Sequence, residues 1–210
     1  MASTVTDLIS RTITTLEAAI NHYNVVKDDK GLRKAFHGAG RGLLRVKQAL
    51  EAASTQLAGG NLAGDLQSAM NSLEACNINA ELSKSIFNAV AQAPKPSRFE
   101  SYKEAVRQEG KGRTVEVLVM GMMMDVCALA ENDVIKAGMG DQVNGLRGAI
   151  EKLSEMEPSV PKEGSGTTFT HYGSGDQNHA IGTQNIAKGS GPQFPGGNFN
   201  APLHFGSGGS

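Results

Sequence analysis

Apolar residues recur at steps of three and four through the first 157 residues, which places them on one face of an α-helix. Segment 62–91 keeps this rhythm across a weak interruption at Asn77-Ile-Asn79, so one long kinked helix or two short ones would satisfy it. Ser97-Arg-Phe-Glu100 has the spacing of a capping box that opens a short helix to about Gln108. Other predicted helices span residues 4–23, 31–57, 114–132 and 137–154.

No part of residues 1–157 alternates with period two, so the pattern predicts an all-α fold, a bundle of five to seven helices. Pro158 to Gly166 follows, stiff at its proline end and flexible at its glycine end. We therefore predict a helical domain over 1–157, a linker over 158–168, a separate motif over 169–205 and a disordered end over 206–210.

Charge is evenly balanced, with a net charge of −1, and the last 47 residues contain one acid, Asp176, and one base, Lys188. Neither part is a polyelectrolyte, so we expect no nucleic-acid partner. The N-terminal residues do not have the pattern of a secretory signal, and the longest apolar run, Val117 to Met124, is far shorter than the roughly 20 residues of a spanning helix. Cys76 and Cys127 lie on apolar helical faces, which indicates buried thiols and fits a reducing, cytoplasmic location.

Motifs that carry chemistry are not found in this sequence. Gly38-Ala-Gly40-Arg-Gly42 has no preceding strand and indicates close helix packing, and Gly110-Lys-Gly112 predicts a turn rather than a phosphate loop. The methionine run Met120 to Met124 fits either core packing or an adaptable binding surface. Acidic residues are spread over solvated helix faces, and no cluster has metal-ligand spacing. We expect no enzyme, no metal and no cofactor.

The C-terminal segment, in contrast, contains a recurring triplet: Gly175-Asp-Gln177-Asn178, Gly182-Thr-Gln184-Asn185 and Gly191-Pro-Gln193-Phe194. One interpretation is a passive, disordered tail, which Gly-, Ser- and Asn-rich composition often indicates. The other is a cross-β stacking motif. Its candidate stacking residues are Tyr172, Gly175, Gln177, Asn178, Ile181, Gly182, Gln184, Asn185, Ile186, Gly189, Gly191, Gln193 and Phe194.

The scarcity of charge favours stacking. When identical segments stack in register, each charge lies about 4.8 Å from its own copy in the next layer and repels it by roughly 1 kcal/mol. Asp176 and Lys188 together therefore cost about 2 kcal/mol per layer. Backbone bonds and Asn/Gln ladders, worth about 1 kcal/mol apiece over some twenty residues, can outweigh this. Ordering those residues costs on the order of 20–40 kcal/mol, so a single chain needs a preformed template.

Two parts of the sequence resemble known protein families. The segments Phe169-Thr-His-Tyr-Gly-Ser-Gly-Asp-Gln177, Gly182-Thr-Gln-Asn185 and Gly189-Ser-Gly-Pro-Gln-Phe194 resemble the prion-forming amyloid motifs of fungal NLR-type signalling, of the sigma and related pseudo-palindromic kinds. The helical part is similar to the SesA-type, HeLo-like death domain, especially over Ser97 to Asn132 and Leu153-Ser-Glu-Met-Glu-Pro-Ser-Val-Pro161. The chain departs from the family pattern at Pro192, which cannot donate to a ladder, so the stacked core is expected over Tyr172 to Gly191.

The resemblance implies an effector of programmed cell death or heterokaryon incompatibility. Its partners would be an NLR receptor with a matching motif and further copies of itself, joined by homotypic cross-β assembly. It also implies relocation from the cytoplasm to the plasma membrane, through an N-terminal helix. The membrane face would then comprise Val5, Leu8, Ile9, Ile13, Leu16 and Ile20. The alternative is a core-facing helix, because Asp7, Arg11 and Glu17 make this segment only amphipathic. The alternative function is a non-toxic helical adaptor with a passive tail.

Overall fold

The computed structural model describes residues 2–59, 66–131 and 138–161. These residues form six α-helices and a short 3-10 turn at Lys95–Ser97, with no strand among them. The all-α prediction is therefore confirmed, whereas the predicted disordered, amyloid-competent tail lies outside the described residues. The helices are α1 (Ala2–Val26), α2 (Lys34–Gly59), α3 (Leu66–Gln92), α4 (Arg98–Gln108), α5 (Val115–Leu129) and α6 (Gly140–Ser154).

The helices α1, α2, α3 and α5 enclose the core, and the shorter helices pack against them. α1 contacts α2 and α3, α5 contacts α2 and α3, α4 packs on α3, and α6 packs on α2 and α5. Phe36 of α2 lies among aromatic rings, with its centroid 5.1 Å from that of Phe87 and 4.9 Å from that of Tyr102. Both pairs meet edge to face, the geometry that the ring quadrupole favours.

The glycines of α2 allow close helix packing, as the sequence predicts. A Cβ at Gly40 would lie 2.3 Å from the Tyr23 ring on α1, and one at Gly42 would lie 2.7 Å from Met123 on α5. No side chain fits at either distance, so both helices approach the backbone of α2 directly. The turn predicted at 110–112 is also present, with a positive φ of 52° at Lys111 and 79° at Gly112.

Two details of the helices depend on side-chain hydrogen bonds. α3 is a single helix through Asn77-Ile-Asn79, and Asn77 there accepts a hydrogen bond from Thr12 of α1 at 3.2 Å. α4 begins after Ser97, but the predicted capping box is wrong, because the Ser97 hydroxyl donates to the Pro94 carbonyl at 3.0 Å instead. The preceding proline turn offers that carbonyl within reach of the hydroxyl.

The most apolar helix, α5, is only partly covered. Met122 and Met123 belong to the core, whereas Met124 is 55% exposed, so the methionine run serves packing at two of its positions. Cys76 is buried and Cys127 is half-buried, and both thiols are free. Among the helices of the described residues, none combines the length and hydropathy that crossing a membrane requires.

Candidate functional site

The predicted stacking residues, Tyr172 to Phe194, lie outside the described residues, and their roles stay predictions. The predicted membrane face of α1 is described. Val5, Ile9 and Leu16 are completely buried. Leu8, Ile13 and Ile20 are half-buried and pack against the same core. In this structure α1 is thus a core-facing helix, and a membrane role for this face requires α1 to leave the bundle.

The described residue nearest to the C-terminal segment is Pro161, and the chain reaches it through what we call the exit segment, residues 155–161. Ser159 in this segment is completely buried, and Val160 packs against the core. The carbonyl of Pro158 accepts a hydrogen bond from Nη1 of Arg33 at 3.3 Å. The first residues of the predicted linker are therefore fixed to the helical domain.

The exit segment is held mainly by what we call the Ser159 anchor, which consists of Ser159, Glu116 and Tyr102. Oε1 of Glu116 accepts a hydrogen bond from the backbone N–H of Ser159 at 2.9 Å, and Oε2 accepts one from its hydroxyl at 2.6 Å. Because Ser159 donates its only hydroxyl proton to Glu116, the Tyr102 hydroxyl, 2.6 Å away, donates to Ser159 Oγ. The Tyr102 oxygen in turn accepts from the Val115 N–H at 3.3 Å.

This arrangement is a chain of donors that ends on a buried carboxylate. Glu116 is 5% exposed and lies in the first turn of α5, where the helix dipole favours a negative charge. Burial, and secondly the charge of Glu116, raise the pKa of Tyr102, so its hydroxyl keeps its proton and remains a donor. Hydrogen bonds to a charged acceptor are worth about 1.5–3 kcal/mol each. The anchor therefore fixes the exit segment on α4 and α5.

A second buried carboxylate, Asp29, lies in the loop between α1 and α2. Its Oδ1 accepts from the Gly31 N–H at 2.9 Å, and its Oδ2 forms an ion pair with Nη1 of Arg98 at 3.0 Å. The Gly31 hydrogen bond, followed by Arg98, lowers the pKa of Asp29 against the opposing effect of burial. This contact ties the loop to the start of α4.

The family of the chain is decided by a comparison with family models. The model of SesA, described as the N-terminal domain on NACHT NTPases and P-loop NTPases, matches residues 9–129, more than half of the chain. The chain belongs to the SesA family. A second model, described as the sigma domain on NACHT NTPases, matches residues 166–206. No curated protein and no solved structure gave a match.

Both matches confirm the resemblance drawn from the sequence, a SesA-type domain followed by a sigma motif. Both descriptions name NACHT NTPases, so the chain is a NACHT-NTPase-associated signalling module with an NLR-type partner. Tyr102 and Glu116 lie inside the matched SesA range, whereas Ser159 lies between the two matched ranges. The Ser159 anchor thus connects the SesA domain to the chain that leads toward the sigma motif.

Neither Asp29 nor Glu116 is predicted to be buried from the sequence, in which the acids are expected on solvated helix faces. Glu116 did carry a signal. It lies three and seven residues before Val119 and Met123, so it shares their helical face, and both are buried. An acid on an apolar face predicts a buried partner but does not say which one. In the described part of the chain, His, Cys, Asp and Glu form no group of three or more that could hold a metal.

Proposed function

We propose that this protein is a cell-death or incompatibility effector, activated when an NLR receptor's matching motif templates cross-β assembly of residues 169–205. The observation that carries the proposal is the presence, in one chain, of a SesA domain and a sigma domain that are both described on NACHT NTPases. A receptor and an effector that share a sigma motif have a direct physical means of contact, since identical strands stack in register.

The charge distribution supports templating as the means of activation. The sigma match, residues 166–206, includes only Asp176 and Lys188 as charged side chains. Stacked copies therefore repel weakly, whereas a lone chain cannot recover the entropy of ordering. Receptor oligomerisation supplies the template, and each captured effector extends it. No catalytic step is required, and we propose that the effector is not an enzyme.

The helical domain would be the output of this assembly. Its α1 face, with Val5, Ile9 and Leu16 buried, is unavailable to a membrane while the bundle is closed, which fits a latent cytoplasmic form. Clustering on the fibre would raise the local concentration of helical domains and favour exposure of α1 at the plasma membrane. The alternative function is a non-toxic adaptor that multimerises through its bundle.

The peptide 165–205 tests the templating step. Incubated alone at high concentration, it is expected to form fibres with the 4.7–4.8 Å cross-β reflection, and these fibres should seed the full chain. Gln184→Asp with Ile186→Asp adds two like charges per layer and should abolish seeding. Thr167→Asp with Thr168→Asp adds the same charge outside the expected stacked core, Tyr172 to Gly191, and serves as the matched control.

The adaptor alternative makes the opposite prediction. If residues 169–205 are passive, the peptide stays monomeric, and neither pair of Asp substitutions changes the assembly of the full chain. A peptide that gives no cross-β reflection and no seeding would therefore overturn the proposed function. Fibres that form equally well with Asp at 184 and 186 would place the stacked core elsewhere and contradict the assigned residues.

A further inference from the structure

A cleft whose charged lining is mainly basic lies where the α1–α2 loop, the first turns of α2 and the exit segment meet. It has a volume of about 580 Å³ and is lined by four basic side chains, Lys27, Lys30, Lys34 and Arg41. Met156 of the exit segment also lines it. This volume is within the usual range of small-molecule sites, roughly 300–1,000 Å³.

A second cleft of about 680 Å³ adjoins the first one and shares Lys27, Asp28 and Arg41 with it. It adds one further basic residue, Arg45. Arg41 lies at the Tyr23 hydroxyl, where its charge opposes the larger upward effect of burial on the pKa of Tyr23. Arg41 lines both clefts and therefore lies where they meet. We call the two together the basic cleft.

The lysines of the basic cleft are not neutralised by neighbours. Lys27, Lys30 and Lys34 are exposed, and none of them lies within ion-pair distance of an Asp or Glu in the described part of the chain. In contrast, three other lysines of the domain do form ion pairs with glutamates. These are Lys47, Lys84 and Lys103.

The acids around the cleft do not balance its charge. Asp29 lines the wall, but its side chain is 5% exposed and its charge is already paired with Arg98. Asp28 is exposed in the cleft, and Glu157 lines an adjoining groove. Five basic residues therefore face two exposed acids, in a protein whose whole net charge is −1. The excess of positive charge is local, which favours an anion with several charges.

We propose that the basic cleft binds clustered phosphate groups, carried by a soluble inositol polyphosphate or by the headgroup of a phosphoinositide. Phosphates match both donor types present: the planar fork of Arg41 suits bidentate binding, and the lysine ammonium groups bind phosphate oxygens as mobile point charges. A single phosphate would engage only part of the lysines, whereas several phosphates on one ring can engage the three lysines and Arg41 together. This inference does not depend on the templated activation proposed above.

The test adds myo-inositol hexakisphosphate to the full chain. Binding is measured by titration calorimetry and by the change in Tm in a thermal scan. The soluble probe is expected to bind and to raise the Tm. The triple variant Lys27→Gln, Lys30→Gln, Lys34→Gln should lower the affinity at least about tenfold, because three charge-assisted contacts to phosphate are lost together.

The matched control changes the same number of lysines where each is ion-paired: Lys47→Gln, Lys84→Gln, Lys103→Gln. It removes the same total charge, yet the affinity should stay within about twofold of the original. Circular dichroism establishes that both variants fold. If the control weakens binding as much as the cleft variant does, the interaction is non-specific attraction to net charge, and the proposal is wrong.

Vesicles distinguish the two sources of phosphate. Phosphatidylcholine vesicles that contain phosphatidylinositol bisphosphate are compared with phosphatidylcholine vesicles that contain enough phosphatidylserine to carry the same surface charge. Preference for the bisphosphate vesicles identifies a lipid headgroup, whereas binding of the soluble probe alone identifies a free polyphosphate. Measurable and equal binding to both kinds of charged vesicle would show attraction to surface charge alone and would overturn the proposal, as would the absence of binding to every probe.

Discussion

Two buried carboxylates of the SesA domain, Asp29 and Glu116, are equally hidden from solvent but are stabilised in different ways. Asp29 is 6% exposed and faces a cation, Arg98, while Glu116 is 5% exposed and accepts hydrogen bonds from two neutral groups of Ser159, its backbone N–H and its hydroxyl. Asp29 joins two parts of the helical bundle to each other. Glu116 joins the bundle to the exit segment.

The difference predicts which of the two contacts is costlier to break. Breaking the Asp29–Arg98 pair would leave two charges with reduced solvation, which costs several kcal/mol. Removing Ser159 from Glu116 also strips donors from a carboxylate, but water can replace neutral donors once the exit segment has left. The Asp29 contact should therefore be costlier to break than the Ser159 anchor.

The largest effect is expected at Asp29. Asp29→Ala removes the Arg98 ion pair and the Gly31 hydrogen bond, and should lower the free energy of unfolding by about 3 kcal/mol in a denaturant titration. The exposed neighbour is the matched control: Asp28→Ala should change it by less than about 0.5 kcal/mol. Similar losses of stability in both variants would mean that the Asp29–Arg98 ion pair makes no contribution of its own to the free energy of unfolding.

The Ser159 anchor is expected to give a smaller and more local effect. Ser159→Ala removes the hydroxyl and leaves Tyr102 without its acceptor, so the free energy of unfolding should fall by about 2 kcal/mol. Amide exchange at residues 159 and 160 should accelerate strongly. Exchange in α2 and α3 should accelerate only as far as the lower global stability requires. Ser154→Ala removes an exposed hydroxyl that donates to the Glu151 carbonyl, and it should leave both measurements unchanged.

The smallest effect is a pH dependence that originates at Asp125 of α5. Burial raises the pKa of Asp125 to about 6, against a hydrogen bond from Asn79, and its Oδ2 is buried without a described partner. Because the folded state holds a proton that the unfolded state has lost between about pH 4 and 6, stability falls as pH rises through this window. Asp125 should therefore contribute a higher Tm at about pH 5 than at about pH 7.5.

The variant Asp125→Asn isolates this contribution from acids with the opposite sign. Asp29 and Glu81 have lowered pKa values, so their stabilisation is lost as pH falls through the folded pKa. The variant should be more stable than the original chain at about pH 7.5, and the difference should shrink toward about pH 4.5. A difference in Tm between the variant and the original chain that does not vary with pH would contradict the raised pKa of Asp125.

The helices could be predicted from the sequence because their signal is local. Steps of three and four in apolar residues marked α1, α2 and α5, and the glycines of α2 indicated close packing, which Gly40 against Tyr23 confirms. The Ser159 anchor could not be found this way. Glu116 and Ser159 are 43 positions apart, and no spacing rule connects a helix start to a proline-flanked segment over that distance.

The continuity of α3 was undecided for the same reason. Asn77 and Asn79 interrupt the apolar rhythm, but Thr12 donates to one and Arg113 donates to the other, so the helix runs through them. Polar residues inside a helix are tolerated where other helices provide partners. The sequence shows the polar pair and cannot show its donors, since those lie on α1 and just before α5.

The central claim is that assembly of the C-terminal segment activates the helical domain. Its most direct test adds preformed fibres of peptide 165–205 to the full chain and measures dye release from liposomes. The account predicts release only with fibres, none for the Gln184→Asp, Ile186→Asp chain, and release without fibres when residues 1–161 are clustered on an unrelated scaffold. Seeded chains and clustered domains that release no more dye than an unseeded, unclustered control would contradict it.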